Sequence, residues 1–183
     1  MPIAVLLIDD NQDQITITKK VLSKTGQDYH IEAASTGQQG LERFSAGLFD
    51  LVLCDYRLPD LDGVEVLKRL RAGHREVPFI IVTSMGNERL AVDAMKLGAS
   101  DYVVKDASYD MVLPEVLRQA VDRYRARQQL AGERNAALEA LKKEKAQLET
   151  INRVMMDRER RIIDLKREVN ALLSELGKPK KYA

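Results

Sequence analysis

Leu51-Val52-Leu53-Cys54-Asp55 is an unbroken apolar run closed by a carboxylate, and its reading governs the first two thirds of the chain. A short hydrophobic stretch without polar alternation suits a strand covered on both faces. Four more segments share the pattern: Ile3 to Ile8, Tyr29 to Ala34, Phe79 to Val82 and Tyr102 to Val104. Helical patterns fill the intervals at Gln14 to Ser23, Gly37 to Ala46, Val64 to Arg71 and Arg89 to Leu97. Parallel neighbours need crossover connections, which are right-handed, so strict strand-helix alternation predicts an α/β domain: a doubly wound, five-stranded parallel sheet with helices on both faces.

The ends of those strands carry the chemistry. Asp9-Asp10, Asp55, Thr83 and Lys105 follow four of the five. All carboxyl ends of a parallel sheet lie on one edge, so three carboxylates, a hydroxyl and an ammonium are expected in one crevice. In strand order 2-1-3-4-5 the first and third strands are neighbours at the switch point, which crowds Asp9, Asp10 and Asp55. Two like charges about 4 Å apart cost about 4 kcal/mol at an effective dielectric near 20, and a third adds more. A hard divalent cation answers this, and Mg²⁺ is held in such a way, usually beside a phosphate. Lys105 and Thr83 would face a phosphoryl group bound there. Taken singly, each residue has a plainer role, since Asp10 or Asn11 can cap the first helix and Lys105 can be solvated. Four polar groups at successive strand ends are harder to dismiss.

Composition bounds the rest. At 183 residues and 45% hydrophobic the chain holds one ordinary domain plus a substantial extension. Residues 1–125 contain 15 Lys/Arg against 19 Asp/Glu, net −4, and residues 126–183 contain 14 against 9, net +5. Cys54 is the only cysteine and sits in an apolar run, which excludes an internal disulfide and argues against a thiolate metal site. The opening residues, Met1 to Asp10, lack a basic leader and their apolar run is too short for a membrane span, so a cytoplasmic protein with no membrane partner is expected. Gly26, Gly47 and Gly98 each follow a helical stretch and are read as left-handed caps. Pro114 suits the first turn of the last helix, which places its start near Leu113 with Ser108 to Val112 as a turn.

Beyond Arg118 the strand signal ends. Leu141, Leu148, Met155, Ile162, Val169 and Leu176 recur every seven residues, with Leu130, Ala137, Ile151, Leu165 and Leu172 on the companion positions. A two-position heptad sustained this long is a coiled-coil seam, and Leu141 to Leu176 alone extends roughly 50 Å. Glu144 and Arg158 occupy core positions and weaken it, and Gly132 marks the expected break from the domain's last helix. The division expected is a domain at 1–125, a dimerisation helix at 126–177 and a flexible tail at 178–183.

Ile8-Asp9-Asp10, Leu53-Cys54-Asp55 with Leu58-Pro59-Asp60-Leu61-Asp62-Gly63, Val82-Thr83-Ser84, Gly98-Ala99 and Tyr102-Val103-Val104-Lys105 together resemble the receiver domain of bacterial two-component response regulators, CheY-like, over about the first 125 residues. The resemblance implies a flavodoxin-like fold and a phosphorylation-dependent signalling role rather than that of an enzyme. It makes Asp55 the phosphoacceptor, Asp10 and Asp55 carboxylate ligands of Mg²⁺ with Asp9 supporting, and the Arg57 carbonyl a further ligand. Thr83 and Lys105 bind phosphoryl oxygens, and Thr83 with Tyr102 forms the switch. The partner implied is a cognate histidine kinase or phosphotransfer protein. One departure stands out: Asp106 occupies the place where the family usually has proline, often after a cis peptide.

An isolated amphipathic helix is marginal in water, so the seam predicts a homodimer through residues 128–176. A parallel pair would set Arg161 against Lys166, which is unfavourable, and Leu138 and Val154 widen the apolar face toward larger bundles. A phosphotransfer output would need a histidine in the helix, but His30 and His74 both precede it. Lys142-Lys143-Lys145 beside a zipper repeat raises a DNA-binding alternative, yet Glu139, Glu144 and Glu149 interleave it, so no nucleic-acid partner is expected. The second alternative is a Mg²⁺-dependent phosphatase of the haloacid-dehalogenase type with Asp55 as nucleophile. It wants an acid two residues on, where this chain has Arg57.

Overall fold

The computed structural model describes residues 2–73, 76–84 and 88–182, so His74 lies outside the described residues. Contacts divide the chain after Gln128 into two units.

In the first unit the strands are β1 (Ile3–Ile8), β2 (Tyr29–Ala34), β3 (Leu51–Asp55), β4 (Phe79–Thr83) and β5 (Asp101–Val104). They form one sheet in the order β2-β1-β3-β4-β5, parallel throughout. This is the doubly wound, flavodoxin-like arrangement expected from strand-helix alternation. β3 and β4 each run one residue past the apolar stretch, because Asp55 pairs with Val82 and Thr83 with Val104 in the ladder. Polar residues therefore sit at the end of the sheet proper rather than in loose loops.

Helices α1 (Gln12–Ser23), α2 (Gly37–Ala46), α3 (Gly63–Ala72) and α4 (Glu88–Lys96) connect the strands, and α5 begins at Tyr109. Successive side chains of a strand point to opposite faces, which splits the core in two. Val5, Leu7, Leu53 and Ile80 meet Ile15 and Leu22 of α1 and Leu113 and Leu117 of α5. Leu6, Ile8, Val52 and Ile81 meet Phe44 of α2, Leu67 of α3 and Ala94 of α4. Cys54 is fully buried in the second cluster, as a small hydrophobe should be.

Local chemistry sets the helix starts. The Asn11 side chain accepts from Asp13 N and Gln14 N, Thr36 from Gln39 N and Asp62 from Glu65 N, three side-chain caps on otherwise unpaired amides. Gly26 and Gly98 take positive φ, 73° and 93°. Gly47 does not: at φ −112° it is extended and no left-handed cap.

The last helix departs from expectation at two points. It starts at Tyr109, four residues before Leu113, so Tyr109 to Val112 are helical rather than a turn. Asp106 organises that start: its side chain accepts from Ser108 N at 2.8 Å and Ser108 Oγ at 2.6 Å. Val112 N then bonds to Ser108 O, and Tyr109 OH shares a buried 2.9 Å hydrogen bond with Thr18 Oγ1 of α1. Pro114 consequently lies inside the helix. The second point is Gly132, where no break occurs, since α5 runs to Glu175. A helical glycine costs only about 0.5–1 kcal/mol relative to alanine, too little to end a helix by itself.

In the second unit, residues 129–183, Leu141, Leu148, Ile151, Met155, Ile162, Leu165 and Leu172 are all exposed. Gly177, at φ 67°, closes the helix, with Lys178 N bonded to Leu173 O. The segment beyond it returns to the helix: Asn170 Oδ1 accepts from Lys181 N and Tyr182 N, and Asn170 Nδ2 donates to Tyr182 O at 2.7 Å. These bonds fall at Lys181 and Tyr182, within the stretch read from the sequence as a flexible tail.

Candidate functional site

The crevice lies where β1, β3, β4 and β5 end. Carboxylate oxygens of Asp9, Asp10 and Asp55 all fall within 4.8 Å of one another. Asp9 and Asp55 are buried and Asp10 is exposed. The capping role that either Asn11 or Asp10 might have filled goes to Asn11, which leaves Asp10 directed by its strand end rather than by a helix.

Lys105 closes the cluster. Its Nζ donates to Asp9 Oδ2 at 2.8 Å and Asp55 Oδ1 at 2.7 Å, with 12% of the side chain exposed. The backbone supplies further donors: Asn11 N to Asp9 Oδ1 at 2.9 Å, and Arg57 N to Asp55 Oδ2 at 3.1 Å. One ammonium is thus shared by two carboxylates, with a third close by. Burial pushes the Asp55 carboxyl above the ordinary carboxylate value, the hydrogen bond and charge of Lys105 only partly offset it, and neighbouring Asp9 pushes the same way as burial. For Lys105 burial works against the charge, but the bonds to Asp55 and Asp9 outweigh it and hold the ammonium above its usual value. The two shifts agree with an excess of negative charge: the lysine gains two partners, while Asp55 shares one.

That excess is what a divalent cation would meet. The donor set is all oxygen, one member faces solvent, and the backbone at Arg57 forms an antiparallel bridge with Asp62 beside Asp55, so the residues present fit a hard cation such as Mg²⁺.

Thr83, buried at the end of β4, accepts Lys105 N at its carbonyl, 2.7 Å, so it sits beside the strand end that carries the lysine. Tyr102, paired with Ile81 in the ladder, is half-buried against the second core cluster, within β5 rather than at its end. Every sequence-predicted site residue except Tyr102 therefore gathers on the strand-end edge. Peptide bonds among the described residues are all trans, including Lys105-Asp106, where Asp106 anchors the start of α5 instead of proline.

Two contributors escaped the sequence reading. Asp60 accepts from Gly37 N and Gln38 N at 2.8 Å each and from Leu61 N at 2.9 Å, pinning the loop after β3 to the start of α2. Burial would raise its carboxyl, yet the Gln38 and Gly37 amides hold it below the usual range. Its position in Leu58-Pro59-Asp60 was visible, but its partner lies 23 residues away. Gly63 is the other: a Cβ there would lie 2.7 Å from the Asp55 carbonyl oxygen, so α3 can approach the strand only because the residue is glycine.

A parallel sheet with this charge cluster at its switch point is the arrangement expected of a receiver domain, and the sequence comparisons agree. Residues 5–117 match the family described as the response regulator receiver domain, and the chain belongs to it. It is similar to the transcriptional regulatory protein ZraR of Escherichia coli (strain K12), 37% identical over 108 residues, 59% of this chain and 24% of ZraR. DltR of Streptococcus agalactiae serotype III, also a transcriptional regulatory protein, is 34% identical over 111 residues, 61% of this chain and 49% of DltR. Among solved structures, the CheY-like receiver domain protein of Methanospirillum hungatei JF-1 has a TM-score of 0.63 at 27% identity, covering 69% of this chain and 99% of that one. The chain spans 24% of ZraR and 49% of DltR, the matched part in each case being shorter than the relative. Among the described residues no helix is long and apolar enough to cross a membrane.

Proposed function

We propose that this protein accepts a phosphoryl group on Asp55 from the phosphohistidine of a cognate histidine kinase or phosphotransfer protein, and signals through a dimeric coiled coil. The observation that carries the reading is the bridging of Asp9 and Asp55 by Lys105 inside a three-carboxylate cluster. Asp55 Oδ attacks phosphorus in line, the P–N bond to the donor histidine breaks, and the imidazole leaves as an acyl phosphate forms. Asp10, Asp55 and the Arg57 carbonyl would hold Mg²⁺, with Asp9 supporting; once bound, it screens the charge of carboxylates and phosphoryl oxygens. Lys105 exchanges a carboxylate for a phosphoryl oxygen, and the Thr83 hydroxyl turns to the same group. Water later hydrolyses the acyl phosphate and resets Asp55. Movement of Thr83 gives Tyr102 room to rotate, shifting a pre-existing equilibrium of the β5 face.

The exposed heptad seam supports the output half of the proposal, because a helix with Leu141, Leu148 and Ile162 in water lacks a cover within its own unit. A second copy supplies one, through residues 128–176.

Family membership and Arg57, where a dehalogenase-type enzyme would want an acid, support a signalling protein over an external-substrate phosphatase. A nucleic-acid partner gains weight from the names of ZraR and DltR, against the sequence expectation. Lys142 pairs with Glu139 and Lys145 with Glu149, which supports a solvated face for the basic cluster itself. Salt-dependent DNA retention by the intact chain would favour the regulator reading.

Incubation with acetyl phosphate and Mg²⁺ tests the chemistry by intact-mass measurement. One acid-stable, base-labile phosphate on the wild type and none on Asp55→Asn is the expected result. Equal labelling of both proteins, or continuous release of phosphate from external esters, would overturn it.

A further inference from the structure

The amino-terminal end of the sheet, opposite the carboxylates, holds a second polar cavity. Arg71, in the last turn of α3, donates from Nη2 to the carbonyls of Val77 at 3.1 Å and Gly98 at 2.9 Å. Its Nη1 is buried and has no hydrogen-bond partner among the described residues. A buried donor left unpaired costs its full desolvation penalty, so an acceptor brought to this guanidinium would be favoured. Gly98 turns the chain here at φ 93°, and a Cβ on it would meet Arg71 Nε at an ordinary 3.4 Å.

The cavity, about 430 Å³, is walled on the α5 side by Arg123, Tyr124 and Arg127, and elsewhere by Ser100 and Glu76. Three guanidiniums face one carboxylate within it. Glu76 opposes Arg71 electrostatically without a hydrogen bond to it, and Asp101 reaches Arg123 only at 3.5 Å between exposed groups. Ser100 Oγ already accepts from Phe79 N at 3.2 Å, which leaves its proton to be donated. The lining is thus rich in donors and short of acceptors. Planar guanidinium forks match the oxygens of phosphates and carboxylates alike, and the positive charge left by three guanidiniums against one carboxylate favours the dianionic phosphate. A bare phosphate fills only part of this volume, which lies within the range of roughly 300–1,000 Å³ typical of small-molecule sites. Val77, Pro78 and the Tyr124 ring supply apolar surface for the remainder.

We propose that this cavity binds a small organic phosphate, its phosphate among Arg71, Arg123 and Arg127 and its body against Val77, Pro78 and Tyr124. The site is independent of Asp55 and places a ligand between the starts of β4 and β5 and the α5 helix. Occupancy would tie α5 to the sheet at the end remote from Lys105.

Amide NMR on the full chain without Mg²⁺ tests it, using adenosine 5′-monophosphate and inorganic phosphate as probes. Saturable shifts at Gly98, Ser100 and Tyr124 are expected, with the nucleotide binding about tenfold more tightly than phosphate. Arg123→Gln combined with Arg127→Gln, both on the exposed side of α5, is expected to weaken the nucleotide by about tenfold or more while leaving the remaining spectrum in place. Arg71→Gln is expected to abolish binding, but it also removes two ties to the backbone, so the α5 double variant decides. Absence of saturation, shifts confined to the Asp9 and Asp55 crevice, or unchanged binding in the double variant would overturn the site. Equal affinity for both probes would overturn the organic ligand.

Discussion

Lys105 is one ammonium shared by two buried carboxylates, and most of what the crevice does follows from that imbalance. Removing it in Lys105→Met leaves Asp9 and Asp55 uncompensated. The expected loss is about 3 kcal/mol, the lower end for broken buried pairs, because the lysine keeps 12% exposure. Magnesium should restore part of it, so melting curves with and without the metal provide the check; curves that coincide with the wild type would contradict the pairing. A second expectation concerns pH. Burial raises the Asp55 carboxyl above its unfolded value, so the folded state holds that proton to higher pH. Its contribution to metal-free stability is present below the unfolded carboxylate value and is lost as pH rises through the folded one. For magnesium the sign reverses: the proton competes with the cation, and as pH falls affinity should begin to drop above the range in which ordinary carboxylates protonate. Magnesium titrations at falling pH measure it, and a flat profile would refute the raised Asp55. Asp9, Asp10, Asp55, Thr83 and Lys105 were all legible as strand-end residues; the sharing of one lysine by two carboxylates was not, since it depends on β1 and β3 lying side by side.

At the scale of elements, α3 is seated against β3 by the missing side chain of Gly63. Gly63→Ala should cost about 1–3 kcal/mol, as overpacking does, and slow phosphorylation of Asp55 because the strand end must shift. Urea denaturation and labelling rate read the two effects, and retention of both would show that the contact yields freely. Helix α5 is secured differently, by the Tyr109 to Thr18 hydrogen bond. Tyr109→Phe leaves the Thr18 hydroxyl buried without that partner, for an expected loss of about 1–3 kcal/mol in denaturant melts. The same bond adds to the Asp106 cap in holding the early start of α5. A reading from Pro114 places the helix near Leu113, but tertiary contacts to a residue 91 positions away hold an extra turn in place. Gly47 and Gly132 differ from their readings for a related reason, as glycine permits a left-handed cap or a break without imposing either.

For the whole molecule, the acidic crevice belongs to the first unit and the apolar seam to the second, and the two stretches differ in net charge. Leu148→Lys with Ile162→Lys should convert a dimer into a monomer by light scattering while leaving phosphate incorporation at Asp55 intact. A wild type that is already monomeric would remove the coil from the proposal without touching the crevice. The chain's own pattern was sufficient for the alternation of strands and helices and for the parallel sheet, because continuous apolar runs and helical spacing can be read in any local window. Tertiary structure alone decided that Lys105 bridges Asp9 and Asp55, that Asp60 pins α2, that Tyr109 reaches Thr18 and that Arg71 ties α3 to the Gly98 carbonyl. Those contacts join residues far apart in the chain, and only strand order and register bring them within hydrogen-bonding distance.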